Sequence, residues 1–186
     1  MSALNIKKGA TQHSAYNLRP NFSDVDERHT LAILVDNEAG VLARVIGLFS
    51  GRGYNIESLT VAEVDQDGHR SRITIVTHGT PQIIEQIKAQ IGRIIPVYEV
   101  HDLTVEGPSV ERELAMLKVV GAGDSRIEAM RMADIFRANV VDSTLNSFVF
   151  EITGAPEKID AFVDLMRPLG LVEIARTGVA AILRGE

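Results

Sequence analysis

The chain has no cysteine and no tryptophan, and only 5% of its 186 residues are aromatic. Without thiols there is no disulfide, no thiolate nucleophile and no cysteine-ligated zinc or iron–sulfur centre. So few aromatic rings argue against a platform on which bases could stack. Basic residues are outnumbered 19 to 25, giving a net charge of −6 and a pI near 5.4. A nucleic-acid binder ordinarily shows a basic face, so that class is disfavoured. Apolar runs are broken by charge well short of the roughly 18–20 residues that a spanning helix needs. What remains is a soluble protein of a reducing compartment, with 45% hydrophobic residues to fill one large core or two small ones.

Catalytic signatures are equally sparse. No serine stands in a G-x-S-x-G nucleophile elbow. Gly121-Ala122-Gly123 lies where a phosphate loop would sit, between a strand and a helix. Arg126 occupies the place of the third glycine and no Walker lysine follows, so the segment reads as a turn and helix cap. The five histidines, His13, His29, His69, His78 and His101, are scattered, and no two share a helix face at metal-binding spacing. The acidic pairs Glu111/Glu113 and Asp160/Asp164 read as solvated faces. No acid, base or metal cluster emerges, so the chain is not expected to be an enzyme or to carry a metal or cofactor of its own.

The pattern of the chain is informative. Residues 1–28 are polar and aperiodic, with Lys7, Lys8 and Arg19 but no amphipathic face, and read as a flexible arm. From His29 the order is regular. His29–Asp36 is a short apolar strand, and Gly40–Arg52 sets Leu42, Val45, Ile46 and Phe49 on one helical face. Gly51-Arg52-Gly53 stops that helix. Ile56–Val64 and Arg72–Thr77 read as strands joined by an Asp67-Gly68 turn. Thr80-Pro81 opens a helix lined by Ile84, Ile87 and Ile91, and Val97–Val105 is a further strand.

The same order then recurs after a linker at residues 106–111. Leu114–Val120 is a strand, and Ser125 with Glu128 has capping-box spacing for a helix carrying Ala129, Met132, Ala133 and Phe136. Val140–Thr144 and Phe148–Thr153 form a hairpin. Pro156 opens a helix with Ile159, Phe162, Val163 and Met166 in register, and Leu171–Arg176 and Val179–Leu183 close the chain. The fold class is therefore α+β: two tandem ferredoxin-like βαββαβ domains, residues 29–105 and 112–186, each of about 75 residues. Domains this small are marginal alone and leave open sheet edges, so a dimer is expected.

One loop stands out. Asp36-Asn37-Glu38-Ala39-Gly40-Val41-Leu42 joins the first strand to the first helix. Free amides at a helix N-terminus bind anions such as carboxylates. Asn37 can donate and accept, and Val41 and Leu42 supply an apolar wall, which together suit a branched amino acid. The same residues also suit an ordinary Asn-containing turn that caps a helix. Asn55, at the entry to the second strand, either turns the chain locally or touches a ligand held by a neighbouring subunit.

The block NEAGVLARVIGLFSGRGYNIESLTVA (Asn37–Ala62) closely resembles the small, regulatory subunit of acetolactate synthase, also called acetohydroxyacid synthase. The likeness runs from about His29 to Arg184 and includes VEREL (Val110–Leu114) and ARTGV (Ala175–Val179). It implies that residues 29–105 are an ACT domain, sensing an amino acid at a dimer interface. It implies a bacterial, cytoplasmic partner of a catalytic subunit that carries thiamine diphosphate, magnesium and FAD. The small subunit would raise that partner's activity and confer feedback inhibition by valine. By position, the valine carboxylate would meet the amides around Gly40, Val41 and Leu42, with Asn37 at its polar end and Asn55 and Ile56 of the facing protomer completing the site. The competing reading is a free-standing amino-acid-responsive ACT module controlling another enzyme or transcription, although no helix-turn-helix or basic patch supports it.

Overall fold

The computed structural model describes residues 25–185, so the arm expected at residues 1–28 lies outside the described residues up to residue 24. Its last two residues already belong to β1 (Glu27–Asp36). There follow α1 (Val41–Arg52), β2 (Ser58–Asp65), β3 (Arg70–Gly79), α2 (Pro81–Ile91) and β4 (Val97–Asp102). The second half consists of β5 (Ser109–Val120), α3 (Asp124–Phe136), β6 (Asn139–Ser143), β7 (Ser147–Gly154), α4 (Pro156–Met166), a 3-10 turn (Arg167–Leu169), β8 (Leu171–Arg176) and β9 (Ala180–Leu183). Two antiparallel sheets result, ordered β2-β3-β1-β4 and β6-β7-β5-β8. Each half is thus the expected split βαβ unit, in which a helix carries the chain over an intervening strand.

Alternation decides which residues face the helices. In the first half Leu31, Ile33 and Val35 of β1 and Ile73 and Ile75 of β3 pack on Val41, Val45 and Phe49 of α1 and on Ile84, Ile87 and Ile91 of α2. The α1 stripe is therefore rotated from the one read in the sequence: Leu42 is exposed, Ile46 half-buried, and Val41 takes the core position. The second core joins Leu117 and Val119 of β5, Phe148 and Phe150 of β7, Ala129 and Ala133 of α3, and Ile159, Phe162, Val163 and Met166 of α4.

Three local expectations are corrected. The helix after Gly123 starts at Asp124 with Gly123 as its cap and no side-chain cap bond. Ser125 therefore lies inside the first turn, and the Ser125/Glu128 capping box does not form. Strand β4 ends at Asp102 rather than Val105 because the chain turns there, the Val105 and Glu106 amides both donating to the Asp102 carbonyl. Finally, β5 begins at Ser109, inside the segment read as a linker. Its first four residues, Ser109–Arg112, pair with β9, while the rest forms the centre of the second sheet.

That pairing explains a departure from the usual one-sided sheet. The even-numbered residues Thr30, Ala32, Thr74 and Val76 point away from α1 and α2, yet all are buried. A small cluster covers them, in which Ala32, Val76 and Leu103 meet Val179 and Ala181 from the C-terminal end of the chain. An antiparallel sheet with both faces covered loses its polar alternation, which is why β1 reads as a nearly continuous apolar run.

On β4, His101 is held between Glu106 (Nδ1 to carboxylate oxygen, 2.8 Å) and Glu99 (Nε2, 3.3 Å). These bonds raise its pKa above the ordinary imidazole value, against a smaller opposing effect of burial. A group held high in the folded state stabilises while protonated, so its contribution is full below about pH 6.5 and fades as the pH rises through the elevated value. The pairs are half-exposed, which limits the effect to less than about 1 kcal/mol. Urea midpoints of the parent and His101→Gln should therefore differ at pH 5.5 and converge by pH 9. A constant gap across that range would contradict the assignment.

Candidate functional site

The loop between β1 and α1 is built around its backbone. The Asn37 amide donates to the His69 carbonyl at 2.6 Å, tying the loop to the β2–β3 turn. Gly40 occupies the N-cap with φ +89° and ψ −8°, a left-handed conformation that side chains resist. No side chain caps α1 and no acidic residue lies in its first turn. The Val41 amide makes a long 3.4 Å bond to the Glu38 carbonyl, and the next amides, of Leu42 and Ala43, are among those a helix leaves without intrahelical acceptors. Asn37, Gly40 and Leu42 are exposed beside them. Val41 is 2% exposed, so the apolar wall expected of its side chain is instead part of the core, and only its backbone faces the loop.

The second group of residues sits elsewhere. Gly53 ends α1 in a left-handed conformation, and its amide reaches back to Phe49 and Ser50. Tyr54 then packs edge-on to Phe49, centroids 6.2 Å apart. The Asn55 carbonyl accepts from Thr77 Oγ1 at 2.6 Å and the Glu57 amide donates to Val76 at 2.9 Å, which fixes the entry into β2. Asn55 keeps its side chain exposed, whereas Ile56 is half-buried against the first core.

Within one chain these two groups do not meet. The twelve residues of α1 span about 18 Å between them. The sheet gives the same answer, since Asp36 pairs with Arg70 while Asn55 is held at Thr77, seven residues or about 23 Å along β3. The structure therefore shows two separate features: helix amides without a side-chain cap at Gly40, and an exposed Asn55.

The sequence missed two charged networks, one joining the two halves and one within the second. Glu111 and Glu113, read as a solvated pair, are largely buried. Glu111 accepts two bonds from Arg28 (3.2 and 2.8 Å) and one from the Thr30 hydroxyl. Burial pushes the Glu111 carboxyl up, but these bonds outweigh it and hold it below the ordinary carboxylate range. Glu113 accepts two bonds from Arg176 at 2.7 and 2.6 Å, and Arg176 also reaches Asp160 at 2.6 Å. Bonding to Glu113 above all keeps Arg176 protonated beyond its usual range. Arg28 and Glu111 are 83 residues apart, so no local pattern could have revealed the pair.

His29 is likewise buried, with Nδ1 2.8 Å from Asp102. Among the described residues no group of three His, Cys, Asp or Glu is placed to hold a metal ion, and no helix is long and apolar enough to cross a membrane. A cavity of about 620 Å³ lies at the junction of the two halves, lined by Arg28, Glu57, Ser58, Arg176 and Gly178 among others, away from Gly40.

Comparison with known proteins adds a family. Residues 31–99 match the family described as AHAS small subunit-like ACT domain, and residues 112–185 match the small subunit of acetolactate synthase. The chain is 46% identical over 159 residues to the probable acetolactate synthase small subunit of Archaeoglobus fulgidus, covering 86% of this chain and 98% of that one. It is 43% identical over 160 residues to the isozyme 3 small subunit of Escherichia coli, covering 86% and 97%. The crystal structure of the acetolactate synthase small subunit of Thermotoga maritima superimposes with a TM-score of 0.78 at 37% identity, covering 86% of this chain and 99% of that one.

Proposed function

Because the chain belongs to the family of acetolactate synthase small subunits, the non-catalytic partners of the catalytic subunit, we propose that it activates that subunit and makes it subject to feedback inhibition by valine. The observation that carries this reading is the uncapped, left-handed Gly40 turn, which presents helix amides with no acidic neighbour in the first turn. A carboxylate suits such a cradle. The exposed Leu42 side chain beside it suits a branched aliphatic one.

The separation of Gly40 from Asn55, read as two half-sites, supports a dimer. Among the described residues no strand pairs with the outer edge of β2, where Val61 and Val64 are exposed. Isologous antiparallel pairing of two β2 edges would set the start of one β2 beside the end of the other. The end of β2 adjoins Arg70 and hence Asp36, so that operation carries Asn55 and Ile56 of one protomer towards Asn37 and Gly40 of its partner. Valine bound there bridges two protomers and favours one dimer geometry, while the catalytic subunit prefers another. Linkage then requires the catalytic subunit to weaken valine binding by the same factor. In this scheme thiamine diphosphate, magnesium and FAD belong to the catalytic subunit, and the complex works in the cytoplasm.

The test is calorimetry of the purified chain against valine, leucine, isoleucine and an unbranched control, repeated with the catalytic subunit present. Saturable binding of a branched amino acid, at one per ACT domain or one per pair, is expected. Absence of heat in both titrations would sink the sensor role. Co-purification of a large thiamine-dependent protein would separate this role from a module acting on some other target.

A further inference from the structure

Strand β2 leaves the Asn55–Ile56 half-site and, within four residues, grips the other half of the molecule. The Val179 amide donates to Ser58 Oγ at 2.8 Å, and Thr60 Oγ1 donates to the Val179 carbonyl at 2.9 Å. Two hydroxyls on one face of one strand thus hold both backbone groups of a single residue about 120 positions away. Next to it, Gly178 has φ +84°, and a β-carbon there would come within 2.7 Å of Ser58 Oγ, so the turn lies flat against the strand. Arg72, opposite Ala62 on β3, extends the seam by donating from Nη2 to the Ala181 carbonyl at 3.0 Å. Val179 and Ala181 close over Ala32, Val76 and Leu103.

This seam leads somewhere. Val179 opens into β9, β9 pairs with Ser109–Arg112 of β5, and β5 continues as a central strand of the second sheet. The hydrogen-bonded connection that starts at β2 therefore ends on a strand whose far end lies in the second core. We propose that Ser58 and Thr60 are positioning residues that pass occupancy of the effector site from β2 to the C-terminal domain. The proposal rests on the valine-sensor reading given above. It adds the route by which an event at the edge of one sheet reaches the other, and it assigns that route to two hydroxyls that need not touch the effector.

The experiment compares the parent, the double variant Ser58→Ala/Thr60→Val and the control Thr60→Ser, each full length and assembled with the catalytic subunit. Three quantities are read: valine binding by calorimetry, maximal inhibition at saturating valine, and valine-dependent amide hydrogen exchange in β9 and the first half of β5. The parent should show altered exchange in both segments. The double variant should bind valine within about threefold of the parent, yet lose at least two-thirds of the maximal inhibition and the exchange response. Thr60→Ser keeps the donor and should behave as the parent.

Valine binding by the parent with unchanged exchange in β9 and β5 would overturn the relay alone. So would full inhibition in the double variant, or equal loss in Thr60→Ser, which would mark a packing effect rather than a hydroxyl. If the double variant does not fold, the parent's exchange response and the Thr60→Ser result still decide. A parent that takes up no valine, alone or assembled, removes the sensor reading and the relay with it.

Discussion

Replacing Gly40 by Asp should leave a small subunit that folds and associates with its catalytic partner but responds to valine at least about 100-fold more weakly. A β-carbon at Gly40 meets nothing within 4 Å, so the chain accommodates the side chain sterically. The left-handed φ of +89° strains most residues by roughly 1–2 kcal/mol, and Asp and Asn tolerate it better than others. Charge is the larger effect. Two like charges about 4 Å apart near a protein surface repel by about 4 kcal/mol, and every 1.4 kcal/mol is a factor of ten in affinity. About 2.8 kcal/mol of that repulsion between the new carboxylate and the valine carboxylate is enough for the 100-fold loss, and it exceeds the strain. Gly40→Asn has nearly the same shape and no charge, so its valine affinity should stay within about tenfold of the parent. Valine titrations of both assembled variants check this. An Asp variant as sensitive as the parent would place the effector elsewhere.

Phe162→Ala should have the largest effect on stability. Phe162 is fully buried, 5.3 Å between centroids from Phe136 and 6.2 Å from Phe150 in an edge-on contact. Truncating such a ring removes its transfer free energy and leaves a cavity that rigid strands cannot close, a loss of about 3–5 kcal/mol. Whole domains are stable by only about 5–15 kcal/mol, so the melting temperature should fall by roughly 10 °C or more. Scanning calorimetry with and without the catalytic subunit reads the shift. A fall of only two or three degrees would show that β7 and α4 collapse onto the space.

These two positions mark what a sequence can and cannot disclose. Phe162 was legible because Pro156 starts its helix and Ile159, Phe162, Val163 and Met166 repeat at the helical period, and all four are buried. At Gly40 the sequence disclosed a strand–helix junction, whose glycine takes a left-handed conformation, while its residues suit an effector cradle and a plain helix cap alike. The stripe on α1 was misread by one position: Leu42 fits the period as well as Val41, and only the direction in which the chain leaves Gly40 decides between them. The capping box at Ser125 failed for a related reason, since its spacing was correct but the helix starts at Asp124. What left no trace was contact between distant segments. The carboxylates of Glu111 and Glu113 look solvated in sequence because the arginines that neutralise them lie far along the chain. The pairing of β9 with the start of β5 rather than with β8 is a matter of tertiary choice.

Strand β5 has a practical consequence for anyone dividing the protein. Its twelve residues make a rod about 40 Å long, the first four of which pair with β9 and the rest with β7 and β8. A fragment ended before Ser109 keeps every strand and helix of the N-terminal unit, yet it loses β9 and with it Val179 and Ala181, the cover over Ala32, Val76 and Leu103. Such a fragment would retain its secondary structure and present a bare apolar sheet face to solvent. Its shortcoming would be stickiness rather than misfolding, and self-association of the fragment should not be mistaken for the proposed dimer.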